Sequence, residues 1–423
     1  MASKATLPET ENIQAGAFGK SLTRAGYIGG IVLLAISLLL GNAAGDNLKR
    51  FFFAYLIGWS FIWTIAIGAL FFVIIHHLTR ARWSVVVRRV AEAITITFPV
   101  LGVLGLAFII PVVAGYQDLY YWAHHDAHHS HHIHGKLGWL EPTFFAARYV
   151  LYFALYSFIA YYFAKRSRLQ DETGDEQLSE TMRVASGPMV ILFALTTIFA
   201  GFDILMSMQP AWYSTIYSVN IFGGGMIGSY ATLTLLSMAL QRAGRVQTSI
   251  TTEHYHDLGK MLFAFTFFWA YTAFSQFMLQ WYANIPEETI FYIYRWYNNW
   301  NVVSMLLLVG HWALPFLFLL SRWTKRVLPS LAFFAVWQLV FHWLDLYWNI
   351  MPNYTWPVAN GVVTGPLTGD PATYAVGFSA VDLTTWFALM ALFIGAIGTA
   401  LGKGKLVPVK DPRLGICLAH ENY

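Results

Sequence analysis

The chain has 423 residues, of which 57% are apolar, 17% aromatic and only 11% charged. Soluble domains carry about 25% charged residues, so this composition excludes an ordinary soluble protein and indicates one that crosses a membrane several times. The net charge of +4 is small, and the basic residues lie at loop edges, which favours topology signals over contact with nucleic acid.

The first 24 residues are polar and mixed in charge. They contain no short apolar core followed by small residues, so we expect an extramembrane arm over 1–24 and no removable signal peptide. Ten apolar stretches follow, each long enough to cross the hydrocarbon core as a helix, which takes about 20 residues. They centre on 25–41, 51–75, 90–114, 144–164, 187–206, 215–240, 258–282, 298–320, 327–350 and 378–402.

These stretches are far longer than the strands of a membrane barrel. Unpaired backbone groups are not tolerated in lipid, so each stretch has to satisfy its own backbone as a helix. The sequence therefore predicts an all-α polytopic membrane protein with about ten transmembrane helices. The membrane domain covers 25–402, and a polar tail follows over 403–423.

Basic residues alternate between the two sets of loops. Most of the 26 Lys and Arg residues lie in the amino-terminal arm, the loops after the second, fourth, sixth and eighth helices, and the tail. The odd-numbered loops contain only Lys49, Arg50, Lys136, Arg148 and Arg295. Because Lys and Arg accumulate on cytoplasmic loops, both termini are predicted to be cytoplasmic.

Seven histidines lie within the eleven residues 124–134, in the loop after the third predicted helix. The spacing His-x-x-His-His occurs twice there, and neutral imidazoles in this arrangement can bind transition metals. Three interpretations are open: a histidine-box di-iron desaturase or hydroxylase, adventitious or structural metal binding, and a hydrated loop that contacts a partner. The boxes of a di-iron enzyme converge on one cytoplasmic site, whereas this loop is predicted to face outward, which disfavours the enzyme. The candidate metal ligands are His125, His128, His129 and His132.

Few ionisable residues lie inside the predicted helices. Each costs about 2.5 to 3.5 kcal/mol at mid-membrane unless a cavity or a partner compensates. Some approach the centre from the cytoplasmic side and others from the outer side, as expected for two proton half-channels. His342 and Asp345 share one face of the ninth helix, whereas interfacial positions explain Glu92 and Asp382 equally well. The candidate proton route comprises Glu92, Asp203, His256, Asp257, His311, His342, Asp345 and Asp382.

Three segments of the membrane domain are long and distinctive. Residues 203–225 read DILMSMQPAWYSTIYSVNIFGGG, residues 310–326 read GHWALPFLFLLSRWTKR, and residues 343–354 read WLDLYWNIMPNY. They resemble the ActF-type membrane subunit of alternative complex III, the bacterial quinol:electron-acceptor oxidoreductase. That subunit belongs to the wider NrfD or polysulfide-reductase membrane-subunit family, and the resemblance extends over roughly 50–350.

This resemblance implies an architecture and a set of partners. Two four-helix bundles, at about 51–206 and 215–350, would be flanked by two outer helices in the bacterial inner membrane. A related NrfD-like membrane subunit, an iron–sulfur protein and c-type cytochromes would surround the chain. The first helix here offers little beyond Tyr27 and Ser37, so quinol is expected in the sister membrane subunit.

The cofactor expectations follow from the cysteine content. One cysteine, Cys417, excludes an internal disulfide, a Cys-x-x-Cys-His haem attachment and a thiolate-bound iron–sulfur cluster in this chain. Haem c and the clusters are therefore expected in partner subunits, with no cofactor and no catalytic residue here. The sequence predicts a structural subunit of a quinol:cytochrome c type oxidoreductase with possible proton half-channels. The alternative from another class is a stand-alone proton-coupled secondary transporter.

Overall fold

The computed structural model describes residues 6–123, 134–297, 299–355, 358–359, 362–363 and 377–422. Within these ranges the chain is almost wholly helical, which confirms the all-α prediction. The only strands in this described part are the two-residue segments Val358–Ala359 and Val362–Val363, which pair antiparallel. The histidine candidates His125, His128, His129 and His132 lie outside the described residues.

Nine helical segments in the described ranges are long and apolar enough to cross a membrane, so this is a multi-pass membrane protein. The helices up to the middle of the chain are α1 Gly16–Ala43, α2 Lys49–Leu78, α3 Val85–Thr95, α4 Phe98–Val113, α5 Pro142–Thr173, α6 Gln177–Ile204, α7 Tyr217–Arg242 and α8 Thr252–Ala283. Three short 3-10 turns are found at Tyr121–Ala123, His134–Lys136 and Met206–Met208. Helices α3 and α4 form one crossing, Val85–Val113.

The rest of the chain contains shorter helices and two further long ones. These are α9 Pro286–Ile293, α10 Trp300–Leu306, a π-helix Leu307–Ala313, α11 Leu314–Leu320, α12 Arg322–Arg326, α13 Leu328–Ile350, α14 Pro352–Thr355, α15 Ala380–Leu401 and α16 Leu414–Leu418. Helix α10, the π-helix and α11 together make one crossing, Trp300–Leu320.

The ninth predicted span is present as α13 but is not among the nine apolar crossings. It has 23 residues, which at 1.5 Å per residue give about 35 Å, enough to cross a hydrocarbon core of about 30 Å. Four of its buried residues are polar, and they are Gln338, His342, Asp345 and Asn349. Because these groups are buried, they face protein and not lipid.

A proline explains the π-helix within the crossing Trp300–Leu320. Pro315 has no backbone N–H, so the carbonyl of His311 loses the partner that an α-helix would supply. The chain adopts a π-helix over Leu307–Ala313, a common result at such sites. The His311 carbonyl accepts a hydrogen bond from Gln338 Nε2 of α13 at 3.3 Å instead. The break thus ties the eighth crossing to α13.

Helix α2 lies at the centre of the domain and is buried along almost its whole length. It packs against α6, α7 and α15, while α1 packs along α15 through small residues. A β-carbon on Gly26 would lie 2.4 Å from the backbone nitrogen of Gly395, so these two helices touch backbone to backbone. The prediction of two four-helix bundles stays a prediction.

The two termini meet on one side of the protein, which we call the basic face: the arm, the tail, and the loops 79–84, 174–176, 243–251 and 321–327. The Leu406 amide donates to the Ile13 carbonyl at 2.7 Å, and the Val246 amide donates to the Asn12 carbonyl at 3.0 Å. Arg88 Nη2 contacts Asp411 Oδ2 at 2.6 Å. Two termini on one face require an even number of crossings. The nine apolar crossings of the described residues and α13 together make ten. The other loops form the opposite face.

Candidate functional site

Three of the predicted proton-route residues meet at one point inside the domain. His342 and Asp345 lie one turn apart on α13, and His311 reaches them from the π-helix. One ligand-type atom from each of the three lies within 4.8 Å of the other two. All three residues are buried. We call His311, His342 and Asp345 the triad.

The hydrogen bonds of Thr64 define the tautomer of His342. The Thr64 hydroxyl lies 2.8 Å from the Ser60 carbonyl and 3.0 Å from the Phe61 carbonyl of its own helix, so its one proton is donated there. Towards His342 Nε2, at 2.9 Å, the hydroxyl oxygen therefore accepts. Nε2 carries the proton, and Nδ1 of the neutral ring presents a lone pair.

Neutral groups hold the Asp345 carboxyl. Trp269 Nε1 donates to Oδ2 at 3.1 Å, and Asn349 Nδ2 donates to Oδ1 at 3.3 Å. No Lys or Arg in the described ranges lies within ion-pair distance of Asp345, although Arg295 interacts with it electrostatically. The Arg295 guanidinium instead donates to backbone carbonyls, among them that of Asn349 at 2.8 Å.

His311 is held by packing. Its ring meets that of Trp269 edge to face, with 4.3 Å between the ring centres. Its ring interacts with the Gln338 side chain, whereas His342 Nδ1 has no hydrogen-bond partner among the described residues. Beneath it, Gln338 Nε2 donates to the Thr266 hydroxyl at 2.8 Å. Polar contacts therefore extend from the triad through Gln338 to Thr266, towards the basic face.

A glycine of α7 borders the triad. A β-carbon on Gly224 would lie 2.9 Å from His342 Nδ1 and 3.5 Å from Asp345 Oδ2. The first distance is shorter than real β-carbon contacts, so any larger residue would displace the imidazole. The α7 backbone therefore packs closely against the His342 imidazole at Gly224.

The structure places Glu92 in a separate buried charge cluster at the basic face. Glu92 pairs with Arg88 at 3.5 Å and with Arg89 at 3.2 Å, and Arg88 also pairs with Asp411 of the tail. Burial alone would raise the pKa of the Asp411 carboxyl, but Arg88 and Arg413 outweigh burial and hold that pKa well below its usual range. The cluster joins the tail to α3.

Asp203 and Asp382 are also paired with arginine, near the opposite face. Asp203 Oδ2 accepts from Arg148 Nε and from the Tyr152 hydroxyl, each at 2.6 Å. Asp382 Oδ1 accepts from Arg50 Nε at 2.9 Å, and the same residue caps α15 by accepting from the Ser379 amide. Neither aspartate is part of the triad.

His256 and Asp257 lie at the start of α8, on the basic face. The Asp257 carboxylate contacts Lys260 and, at 2.6 Å, His420 Nε2 of the tail. His256 is buried, and its Nδ1 has no partner among the described residues. Thr266 is nine residues further along α8, or about 14 Å at 1.5 Å per residue, so this pair is well separated from the triad.

Sequence reasoning missed five residues that complete the site. Two of them could have been found, because Gln338 and Asn349 lie four residues before His342 and four after Asp345, on the same helical face. The other three come from distant parts of the chain, and no local pattern marks them: Thr64, Gly224 and Trp269.

Comparison with known proteins assigns no family to the chain. No protein-family model matches the sequence, and no curated protein matches it either. The function has therefore to be inferred from the geometry of the site and from the three distinctive segments.

Proposed function

We propose that this chain is an integral membrane subunit of a respiratory quinol:electron-acceptor oxidoreductase of the alternative complex III type. Its own contribution is a proton route centred on the triad. It lies in the bacterial inner membrane with the basic face, and thus both termini, in the cytoplasm. Electron transfer takes place in the partner subunits.

One observation carries this proposal: the three segments that resemble the family converge on the triad. Residues 203–225 supply Gly224, residues 310–326 supply His311, and residues 343–354 supply Asp345 and Asn349. These segments are far apart in the sequence. Their meeting at one buried polar centre supports the view that the resemblance extends to a functional site and is more than shared hydrophobicity.

The charges that surround four of the buried acids, Glu92, Asp203, Asp345 and Asp382, indicate which one transfers protons. Glu92, Asp203 and Asp382 each lie against arginine, and a carboxylate in such a pair loses much of its stabilisation when it is protonated. Asp345 has only neutral donors at hydrogen-bond distance. Asp345 can therefore gain and lose a proton, whereas we assign the other three acids to structural ion pairs.

The route extends from the triad towards both faces. On the cytoplasmic side Gln338 and Thr266 lead away from His311, and Asp257 with His256 forms the entrance about 14 Å further down α8. On the outer side Asn349 lies between Asp345 and Arg295. Imidazole and carboxyl groups in an otherwise apolar membrane interior are typical of proton relays.

The redox groups belong to the partners in this proposal. A related NrfD-like subunit holds the quinol, an iron–sulfur protein holds the clusters and c-type cytochromes hold the haem. Cys417 is the only cysteine and its thiol is buried against the Trp83 carbonyl and His254, so it supplies no cluster ligand.

A stand-alone proton-coupled transporter is the second candidate. The interrupted crossings at α3–α4 and at the π-helix favour it, because transporters bind their substrates at broken helices near mid-membrane. The two functions differ in whether partner proteins are bound to the chain.

Native purification in mild detergent separates them. The proposal predicts haem absorption bands and co-purifying cytochrome, iron–sulfur and sister membrane subunits in fixed ratio. A colourless protein that purifies alone and remains stable would contradict the complex and favour the transporter. A solitary protein that contains two irons would contradict both and favour the di-iron enzyme.

A further inference from the structure

The triad has more hydrogen-bonding capacity than its protein neighbours satisfy. His342 Nδ1 has no partner among the described residues, and the buried His311 ring interacts with one polar side chain, Gln338. More than nine in ten buried polar groups in folded proteins have a partner, which is often an ordered water molecule. His342 Nδ1 and the remaining nitrogen of His311 therefore indicate a bound polar ligand.

The three side chains converge beside Gly224 of α7. One ligand-type atom from each of His311, His342 and Asp345 lies within 4.8 Å of the other two. A water oxygen between these atoms can therefore lie at hydrogen-bonding distance from all three. The site therefore offers three polar partners, the usual number for a buried water.

We propose that His311, His342 and Asp345 together bind one water molecule between their three polar atoms. This inference rests on the proposed proton route and adds its missing link. The water joins His311, which otherwise has no polar contact with the other two residues, to the Asp345 carboxyl.

The donors and acceptors that face the water balance, and the second ring nitrogen of His311 is left to Gln338. The Thr64 hydroxyl accepts from His342 Nε2–H, so Nδ1 accepts a proton from the ligand. The Asp345 carboxylate accepts too, beside its bonds from Trp269 and Asn349. Water donates one hydrogen to each of them, and its oxygen accepts the N–H of His311. A proton that arrives at His311 can then pass through the water to Asp345, as one bond to hydrogen breaks and another forms at each step.

Charge favours water over a divalent metal ion at this site. Two neutral imidazoles and a carboxylate can ligate zinc, but one carboxylate leaves a divalent ion with an uncompensated positive charge. Arg295 already interacts electrostatically with Asp345, and a second unpaired positive charge inside the membrane domain is costly. Neutral water adds no charge.

Alanine substitutions at two neighbouring residues of α7 test the water site. Gly224→Ala places its methyl group against His342 Nδ1, whereas the nearest contacts of Gly223→Ala are Phe268 Cδ1 at 3.1 Å and the Trp269 backbone at 3.4 Å and do not include the triad. Each variant of the assembled complex is placed in sealed vesicles, and proton movement per electron is measured beyond that released by quinol oxidation itself. We expect Gly224→Ala to lose this movement while electron transfer continues, and Gly223→Ala to retain it.

A third variant separates failure of the water site from failure of the proton route. If Gly224→Ala pumps normally and Asp345→Asn does not, the water is wrong and the route stands. If both pump normally, the route is wrong as well.

Direct observation covers the case in which Gly224→Ala does not assemble. Electron cryomicroscopy of the unmodified complex should show one density feature within hydrogen-bonding distance of all three side chains, and elemental analysis should find no metal that depends on His342. A gap without density, or a stoichiometric metal that disappears in His342→Ala, would overturn the water assignment.

Discussion

The tail is held to the basic face by a buried ion pair, and its removal should release the tail. Arg88 and Asp411 are both buried and are 2.6 Å apart. Removing one partner of a buried pair costs about 3–5 kcal/mol, because the other charge stays buried. In Asp411→Asn, Arg88 keeps Glu92 at 3.5 Å, so we expect the lower end, about 3 kcal/mol. At 1.4 kcal/mol per tenfold, the released tail becomes about 100-fold more populated.

The single cysteine reports that release. Burial raises the pKa of the Cys417 thiol to about 11, so the docked thiol is protonated and enclosed, and it should react slowly with a thiol reagent at neutral pH. When the tail detaches, the thiol is exposed with an ordinary pKa. The alkylation rate of Cys417 in the purified complex should therefore rise about 100-fold in Asp411→Asn.

A second variant in the same tail provides the control. Glu421 is exposed and makes no ion pair in the described part of the chain, so Glu421→Gln should label at the unmodified rate. Equal labelling of Asp411→Asn and the unmodified protein would refute the claim that the Arg88–Asp411 pair holds the tail. Rapid labelling of the unmodified protein would refute the buried, docked thiol itself.

Three further outcomes follow from the same contacts. Because the folded pKa of Asp411 is depressed, its carboxylate stabilises the docked tail above the unfolded pKa of about 3.9, and that contribution is lost as the pH falls further. Pepsin should therefore cleave 410–418 increasingly below about pH 4. Cleavage that does not change with pH would contradict this. Asp382→Asn should lower thermal stability by about 3–5 kcal/mol through loss of the Arg50 pair while proton movement per electron stays unchanged, and lost proton movement would return Asp382 to the route. Gly26→Ala forces a methyl group into the Gly395 backbone and should lower the stability of the fold by about 1–3 kcal/mol or more, whereas the control Gly29→Ala meets nothing within 4 Å. Equal melting temperatures of the two variants would show that α1 and α15 do not touch there.

The membrane crossings were readable from sequence because hydrophobic length alone determines them. Even α13 was predicted at 327–350 and observed at Leu328–Ile350, although its polar residues make it the least obvious crossing. The π-helix that precedes Pro315 also has a local cause, since the missing N–H of the proline acts within about one turn.

The candidate site was only partly readable, because ion pairs form between distant segments. Asp382 and Arg50 are 332 residues apart, and Asp203 and Arg148 are 55 apart. Sequence reasoning kept these acids in the candidate proton route beside Asp345, and only their partners in space separate them from it. The exception is Glu92, whose arginines lie three and four residues before it and could have been noticed.

Proton movement in Asp345→Asn tests the central claim most directly. The assembled complex is placed in sealed vesicles, quinol is supplied, and protons moved per electron are compared with those of the unmodified complex. The asparagine can still accept from Trp269, so the fold should survive and electrons should still flow. We predict that all proton movement beyond the release from quinol oxidation is lost. An unchanged ratio of protons to electrons would remove Asp345, and with it the triad, from the route.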